Sequence, residues 1–588
     1  MNKAILKLLA VVLLLSNGAM LFSQEKKVVR GVVSDSAGPI PGVGVVVVGT
    51  TNGMVTDLEG RYELKCIPGQ ILEFNCMGYE SVKVTIGESD VYDVVLNAQS
   101  ELLDQVVFVG YGVQKKVNVT GSVTSVDYSK LSDSRPVTNS ASLLQGASAG
   151  LYVRQTSGIP GNEGVSLRVR GVGTLNNSDP LVIVDGTPGS MDSVDPSEIQ
   201  NISVLKDAAS CAIYGNRGAN GVILITTKRE KKGSFHIDYS GMLGVQSPEN
   251  TYDVVSNYAD YMELMNEASF QNEKPLPFSQ SMISLWREKE QDPYGISESG
   301  YPNYVAYPNV DGMTAFYRTD TPIYQKHNVS ASGTKDDTSF RVAMGYMDNP
   351  GMVMNTGFKK YTFRAEFSSK LFPWMEVGAR TYGYYNIKET GDLSNVFDYA
   401  VRWVPCIYPY YDGKYGWYEN PEQNSESRNN LYFLNRVQGQ QVTENVSITP
   451  FVNIDLPFGI KSRTSFKYST THMERDQHSI TREAYSFRTG QVVASDQDLS
   501  SQFRWLTTQI IRSTYFESDL SWARTLAEKH DVTAMLGVEA IDHRTVDFSA
   551  TKKGAENAVL SEFNNMLTPS SITGTSSEYS SQSLFSRL

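Results

Sequence analysis

Cysteine is scarce in this 588-residue chain, with four residues, Cys66, Cys76, Cys211 and Cys406. No CxxC pair occurs and the six histidines are scattered, which argues against a structural metal site or any metal cofactor. Cys66 and Cys76 flank a Pro68-Gly69 turn. As a hairpin that turn would set Cys66 opposite Ile71 and Cys76 near Arg61, beyond the ~7 Å Cα limit for a disulfide. Positive charge is also short: 52 Lys and Arg face 64 Asp and Glu, for a formal net charge of −12. That balance excludes a nucleic-acid partner held through its phosphates. Long apolar runs are missing as well. The unbroken stretch Leu8 to Leu15 falls far short of the ~20 residues a helix needs to cross a bilayer. Gly42-Val-Gly44 opens no helix pattern, so it is no dinucleotide loop. The later glycine-rich stretch around Gly218 lacks a Gly-Lys-Ser/Thr ending and leads into a strand, which excludes a phosphate cradle. The N-terminal region shows no nucleophile–base pairing and no metal-ligand set, and nothing in the chain points to an enzyme or a cofactor.

What the chain does have is β-former patterning and tyrosine, 33 copies against 23 of phenylalanine. Tyrosine is apolar at one end and polar at the other, and suits membrane interfaces and sugar-binding surfaces alike. The mean hydropathy of −0.29 is blind to transmembrane strands, whose alternating residues average to moderate polarity.

The stretch Val204 to Lys228, VLKDAASCAIYGNRGANGVILITTK, reads as a compact βαβ-like unit. Asn201 to Leu205 form a strand, and Asp207 caps a brief helix through Ala208, Ala209 and Ser210. Gly215 supplies an αL-type stop after Tyr214. Asn216, Gly218, Asn220 and Gly221 are turn residues that allow positive φ. Val222 to Ile225 then read as a strand buried on both faces. A basic edge follows at Lys228, Arg229, Lys231 and Lys232.

Ahead of this unit lie several segments. Residues 1–23 pair Lys3 and Lys7 with a short apolar core, which is the pattern of a secretory signal, with cleavage expected before Gln24. Residues 24–97 alternate as a small β-sandwich, with a hairpin of Tyr62 to Cys66 and Ile71 to Cys76. Residues 98–114 hold strand formers in a polar linker and would be read from pattern alone as one more short strand. Leu151 to Gln155, Val165 to Arg170 and Leu181 to Val184 are short strands, and Asp195-Pro196-Ser197-Glu198 is a helix start. Arg154, Arg168 and Arg170 fit a solvated face, but inside a barrel they are expected to pair with carboxylates on the wall, because an unpaired buried charge is costly.

From Ser234 on, long segments alternate in period two. Phe340, Val342, Met344 and Tyr346 share one face, with Arg341, Ala343 and Gly345 on the other; Tyr361, Phe363, Ala365 and Phe367 alternate in the same way. Turns at 335–337 and 371–373 are short, whereas 250–324 and 389–440 are long, the asymmetry of an outer-membrane barrel. Ten strands are predicted, over 234–247, 325–334, 338–350, 358–371, 374–388, 442–456, 459–477, 507–524, 530–550 and from about 579. Tyr252 to Ser269 has helical spacing. Asn328-Val-Ser330 is a sequon by pattern, expected in a strand. The aromatic stretch 403–418, with Trp403, Tyr408, Tyr410, Tyr411 and Trp417, is either a self-packed loop or a candidate carbohydrate- or partner-binding surface.

Three segments carry a family resemblance. VLKDAASCAIYGNRGANGVILITTK resembles the signature that ends the plug of SusC/RagA-like TonB-dependent outer-membrane transporters, with Lys206, Asp207, Tyr214, Gly215, Arg217, Gly218, Asn220 and Gly221 as its marked positions. LQGASAGLYVRQTSGIPGNEGVSLRVRGVGTLNNSDPLVIVDGTP resembles the rest of that plug. GVVSDSAGPIPGVGVVVVGTTNGMVTDLEGRYEL resembles the carboxypeptidase-regulatory-like domain that precedes many such plugs. The resemblance implies an all-β membrane protein: an N-terminal β-sandwich, a small α+β plug domain, and part of a 22-stranded-type antiparallel transmembrane β-barrel. The implied divisions are a signal peptide (1–23), sandwich (24–97), TonB-box linker (98–114), plug (115–232) and incomplete barrel (233–588). Within the linker, Leu103, Asp104, Val106, Val107, Phe108, Val109 and Gly110 are implied to be the TonB box.

The implied function is import of a large nutrient, oligosaccharide first and peptide next, across the outer membrane. The implied partners are a SusD-like surface lipoprotein as lid, the TonB–ExbB–ExbD complex as motor, and outer-membrane lipid, with the sandwich in the periplasm. A surface receptor that senses without importing, and a secreted β-modular adhesin or enzyme, are the alternatives. Plugged transporters close at ~22 strands, so ten strands predict an open half-barrel around the plug, with Gly233 to Ser247 at one edge and residues 579–588 at the other.

Overall fold

The computed structural model describes residues 27–96 (less 36, 37, 49, 51, 77, 78 and 80), 106–109, 112–115, 122–128 and 139–587. From the last span 230–234, 250–251, 392, 394–395, 420–428, 496–498, 527–529 and 558–561 are excepted. The signal-like segment, Gln24, Leu103, Asp104 and Gly110 lie outside the described residues.

The chain divides into two compact units. The first is a β-sandwich. Lys27–Asp35 pairs antiparallel with Arg61–Cys66 in one sheet, and Gly44–Val47, Ile71–Asn75 and Val82–Thr85 pair in the other. Alternate residues, among them Val29, Val45, Val47, Leu64, Leu72 and Phe74, fill a shared core. The expected hairpin is absent. The Pro68-Gly69 turn carries the chain from one sheet to the other, because each strand has its own partner. Cys66 and Cys76 are both free, and strand placement in separate sheets, not hairpin register, is what separates them.

The second unit opens with the plug. Its strands are β1 (Val123–Asp127), β2 (Leu151–Arg154), β3 (Ser166–Val169), β4 (Leu181–Val184), β5 (Thr187–Pro188), β6 (Ile199–Leu205) and β7 (Val222–Thr227). Five of them form a mixed sheet in the order β1-β6-β7-β4-β5, while β2 and β3 make a separate ribbon. All six residues of β7 are buried, as expected of an apolar run without alternation. The βαβ reading needs correction, because β6 and β7 are antiparallel and β7 is parallel to β4. The short helix α1 (Ala208–Cys211) and the 3-10 segment after it pack Cys211 and Tyr214 against Leu205, Val222 and Leu224. They cap one end of the sheet instead of crossing its face, so the chain re-enters beside β6 from the same end.

Ten long antiparallel strands follow: β8 (His236–Val245), β9 (Ile323–Lys335), β10 (Thr338–Pro350), β11 (Gly357–Phe372), β12 (Met375–Glu389), β13 (Val437–Asp455), β14 (Ile460–Ser479), β15 (Phe503–Leu526), β16 (His530–Ala555) and β17 (Met566–Arg587). They pair in sequence from β8 to β17, and among the described residues no pairing joins these two end strands. The last strand starts near 566 rather than 579. Its first half is polar and contains Pro569, so alternation was faint there, and pairing along β16 decides its length.

The alternation resolves into two chemically opposite faces. Phe340, Met344, Tyr361, Phe363 and Phe367 are exposed, whereas Arg341, Ala343 and Arg364 are buried. A soluble sheet buries its apolar face; here the apolar face is outside and the polar face meets the plug, as a membrane barrel requires. No described helix is long and apolar enough to cross a membrane.

In the first long loop, helix α2 (Tyr258–Gln271) begins six residues later than the spacing suggested, where the Asn257 side chain caps it by accepting from Asp260 N. A second helix, α3 (Gln280–Gln291), was not expected. Tyr258, Met262, Phe278 and Trp286 pack between the two.

Candidate functional site

The plug signature is built from its acceptors upward. The Asp207 carboxylate accepts from Ser210 N at 2.7 Å and from Ser122 N, so it both caps α1 and holds the start of β1. The Ser210 amide, with that of Ser122, keeps this carboxyl below its ordinary range. Lys206 Nζ donates to Thr124 Oγ1 at 2.5 Å and to the Ala149 carbonyl. Burial pushes the Cys211 thiol up to about 11, so it is an inert packing group. Gly215 has φ +57° but ψ −145°, which is not the αL stop expected; the 3-10 segment continues to Gly218. Asn220 Nδ2 donates to the Asn177 carbonyl at 2.9 Å. Arg217 reaches across to Glu539 on β16, and the Tyr515 hydroxyl lies 2.9 Å from Glu539 and 2.8 Å from Glu517.

Two glycines of the signature are sterically required. Gly221 has φ +88° and a Cβ there would meet Val169 at 2.7 Å; at Gly218 a Cβ would lie 2.9 Å from the Cys211 carbonyl oxygen. Gly221→Val is therefore expected to cost at least about 1–3 kcal/mol locally through backbone strain. The plug should become protease-sensitive while the barrel still inserts. Unchanged protease resistance would show the turn to be unstrained.

The plug meets the wall through ion pairs of one dominant polarity: the plug supplies carboxylates and the wall supplies cations. Glu198 accepts both Arg341 Nε and Nη2 at 2.9 Å, with the side chains 3% and 6% exposed. Asp195 pairs with Lys326 at 3.0 Å, and Lys360 Nζ donates to the Asp192 carbonyl at 2.7 Å. The β4–β5 turn, with Asp185 at φ +47° and Gly186 at φ +90°, meets wall arginines from β11, β12 and β14. Its Asp185 carboxylate takes Thr227 Oγ1 at 2.7 Å and Arg364 at 3.4 Å, while Lys467 Nζ donates to the Pro188 carbonyl at 2.6 Å. Burial alone would raise the Asp185 carboxyl, but Arg364, Arg380 and the Thr227 bonds bring it below its ordinary value. Burial opposes Asp195 in the same way, and Lys326 with Ser197 overcomes it.

This arrangement corrects the expectation for the plug arginines. Arg168 pairs with Asp179 of the plug itself, and no described pair joins Arg154 or Arg170 to the wall. Asp195 to Glu198 form one 3-10 turn, not a longer helix, and Glu198 leaves the capping role to bind Arg341. Asp185, Glu198, Arg341 and Arg364 were missed as a set. Inward positions carrying arginine were the only available signal, and their partners lie more than a hundred residues away.

Val106–Val109 is a strand that forms a two-stranded ribbon with Gly112–Lys115. Such a ribbon retains free backbone edges.

The aromatic loop is largely self-packed. The rings meet edge to face: Tyr408 with Tyr304 (5.7 Å) and Tyr411 (6.2 Å), Tyr411 with Tyr301 (6.0 Å) and Phe487 (6.3 Å), and Trp417 with Tyr432 (5.3 Å). Trp403 is 8% exposed, whereas Tyr410 is 48% exposed. Trp403→Ala is expected to destabilise the outer loops by about 3–5 kcal/mol, and Tyr410→Ala by little. A thermal melt of the two variants separates packing from surface chemistry, and equal shifts would refute the assignment.

Residues 115–222 match the TonB-dependent receptor plug domain and residues 29–126 the CarboxypepD_reg-like domain. The chain is 32% identical over 385 residues to the TonB-dependent receptor SusC of Bacteroides thetaiotaomicron, covering 63% of this chain and 34% of that protein. It is 30% identical over 432 residues to the TonB-dependent receptor P26 of Formosa agariphila, covering 71% of this chain and 41% of that protein. It thus spans less than half the length of these curated relatives. Among solved structures it resembles the RagAB peptide importer in its open-open state, at 26% identity and a TM-score of 0.67, over 82% of this chain and 54% of that one.

A plug seated by buried ion pairs against an antiparallel wall whose apolar face points outward defines a TonB-dependent receptor of the outer membrane. Within that class the two matched domains and these relatives place the chain in the SusC/RagA-like family.

Proposed function

We propose that the chain takes part in TonB-dependent import of a nutrient too large for porins, an oligosaccharide first and a peptide next. The observation that carries this reading is the plug itself. Among the described residues it is held by discrete polar contacts, several of them to backbone carbonyls, and its apolar clusters contain plug residues alone. Polar contacts of that kind can be exchanged for water as the plug moves, whereas the hydrogen-bonded wall has to stay intact in lipid. Oligosaccharide ranks first from the family resemblance of the plug, and peptide is supported by the likeness to the RagAB peptide importer. A SusD-type lipoprotein would close over the outer loops, and TonB would pair with the Leu103 to Gly110 region by strand addition, with the sandwich on the periplasmic side. The five aromatic positions from Trp403 to Trp417 would form a ligand-facing surface chiefly through Tyr410. The reading involves no covalent step.

The test is uptake of labelled oligosaccharides and peptides by cells with and without this gene, each with TonB intact or deleted. Uptake that needs both the gene and TonB supports the proposal. Surface binding without accumulation would favour a sensor instead.

A further inference from the structure

Two cavities lie between the plug and the wall, the larger lined from β9 to β13 and the smaller from β11 to β14, so that they share the stretch β11 to β13. The larger, of about 570 Å³, sits at the end of the sheet carrying the short turns, which in such barrels is the periplasmic end. Asp336, Ser368, Lys370 and Arg229 are among its lining residues. The smaller, of about 60 Å³, lies farther up the wall, lined by Thr381, Tyr382, Ser447 and Thr449 with the plug turn at Asp185. Both linings mix polar and apolar surface, and in the smaller one Arg364 Nη1 and Tyr382 Oη are buried without a protein partner.

Arg380 lines both cavities, Arg364 only the upper and Glu366 only the lower. These three side chains and the plug turn close a ring. Arg364 Nη2 lies 3.4 Å from Asp185 Oδ2 and 3.0 Å from Glu366 Oε2; Arg380 Nε lies 3.1 Å from Glu366 Oε1, and Arg380 Nη1 3.2 Å from the Asp185 carbonyl. The Phe451 ring, 4.5 Å from the Arg380 guanidinium, backs the ring on the lower side.

Asp185 is the only plug residue of the four. Its carboxylate also accepts from Thr227 N and Oγ1, at the end of β7, so displacement of the plug sheet withdraws it from the wall. The wall members would still pair with one another, since Glu366 bridges both arginines. Once the turn departs, the wall keeps two arginines against one carboxylate, a net charge of +1, so Glu366 holds both guanidiniums in place without neutralising them.

We propose that, in the import reading given above, substrate passes along the β11–β13 wall, and that the Asp185–Arg364–Glu366–Arg380 ring is the gate between its upper and lower chambers. Opening requires only that the β4–β5 turn leave.

Asp185→Asn and, as a second variant that leaves the plug untouched, Glu366→Gln are compared with the double variant Glu198→Leu/Arg341→Met. The last removes a plug–wall ion pair on the neighbouring strand without stranding a charge, and neither residue lines a cavity. The readout without TonB is entry of a hydrophilic antibiotic too large for porins, together with maleimide labelling of Ser368→Cys and Thr449→Cys. Expected are a rise in entry of about tenfold in the two ring variants, the scale of one coupled contact, and none in the double variant. Ser368→Cys should label in every background and Thr449→Cys only when the ring is broken. Equal entry in all variants, or an equal rise in the double variant, would overturn the gate. Should the unaltered protein show no TonB-dependent uptake, the import reading fails and the path with it. Normal uptake with no leak and no labelling of Thr449→Cys removes the path alone.

Discussion

Double replacement of Val107 and Val109 by proline is expected to abolish energised uptake, with barrel insertion and ligand binding retained. The two residues are i and i+2 in the strand Val106–Val109, so their N–H groups point to one edge of it. Proline removes both donors and fixes φ near −65°, which disables that edge for pairing with an incoming strand. Because Gly112–Lys115 already occupies one edge, the companion variant Val106→Pro/Phe108→Pro tests the opposite one. One double variant should then break the ribbon and the other the coupling. Uptake of labelled ligand is the measurement, normalised to surface binding. A normal uptake rate in both variants would place the coupling segment elsewhere in the chain.

The second large effect is expected at Glu198 and Arg341. The pair is buried and bidentate, and removing one partner leaves the other charge unpaired. Arg341→Met should therefore loosen the plug by about 3–5 kcal/mol, whereas Glu198→Leu/Arg341→Met together should recover most of that loss. Protease protection of the plug against temperature reads both, and equal loss in single and double variants would refute the argument. The acid response of the same interface follows from Asp185 and Asp195, whose carboxyls are held below their ordinary range. Their contribution is complete above the unfolded-state value of about 3.9 and is lost as pH falls through the lower folded-state values. Plug protection should therefore be flat near neutrality and fall only in strong acid.

The wall was legible because period-two alternation over ten or more residues is a strong local signal, and each strand needs only its neighbours in sequence to pair. All ten predicted strands are present, and the weakest boundary fell where Pro569 and a run of serines blur the alternation. The signature loop was legible for a different reason. Gly218 and Gly221 occupy positions that a side chain cannot, so sterics wrote them into the sequence. The direction of β7 relative to β6 was not legible, since an apolar run of four residues pairs equally well either way and the cap formed by Cys211 and Tyr214 decides it. The sandwich hairpin failed similarly. A Pro-Gly turn specifies a reversal but not which sheet receives the next strand.

The sequence by itself determined the class of this protein: strand periodicity with one apolar and one polar face, and a plug with its glycine-bound turn. These are local properties, fixed within a few residues of one another. Only the tertiary structure decided which charges meet. Asp185 finds Arg364 and Arg380, Glu198 finds Arg341, Arg217 finds Glu539, and Arg168, expected at the wall, stays with Asp179. Partners this far apart along the chain leave no periodic trace, because an ion pair constrains two side chains in space and nothing in the residues between them.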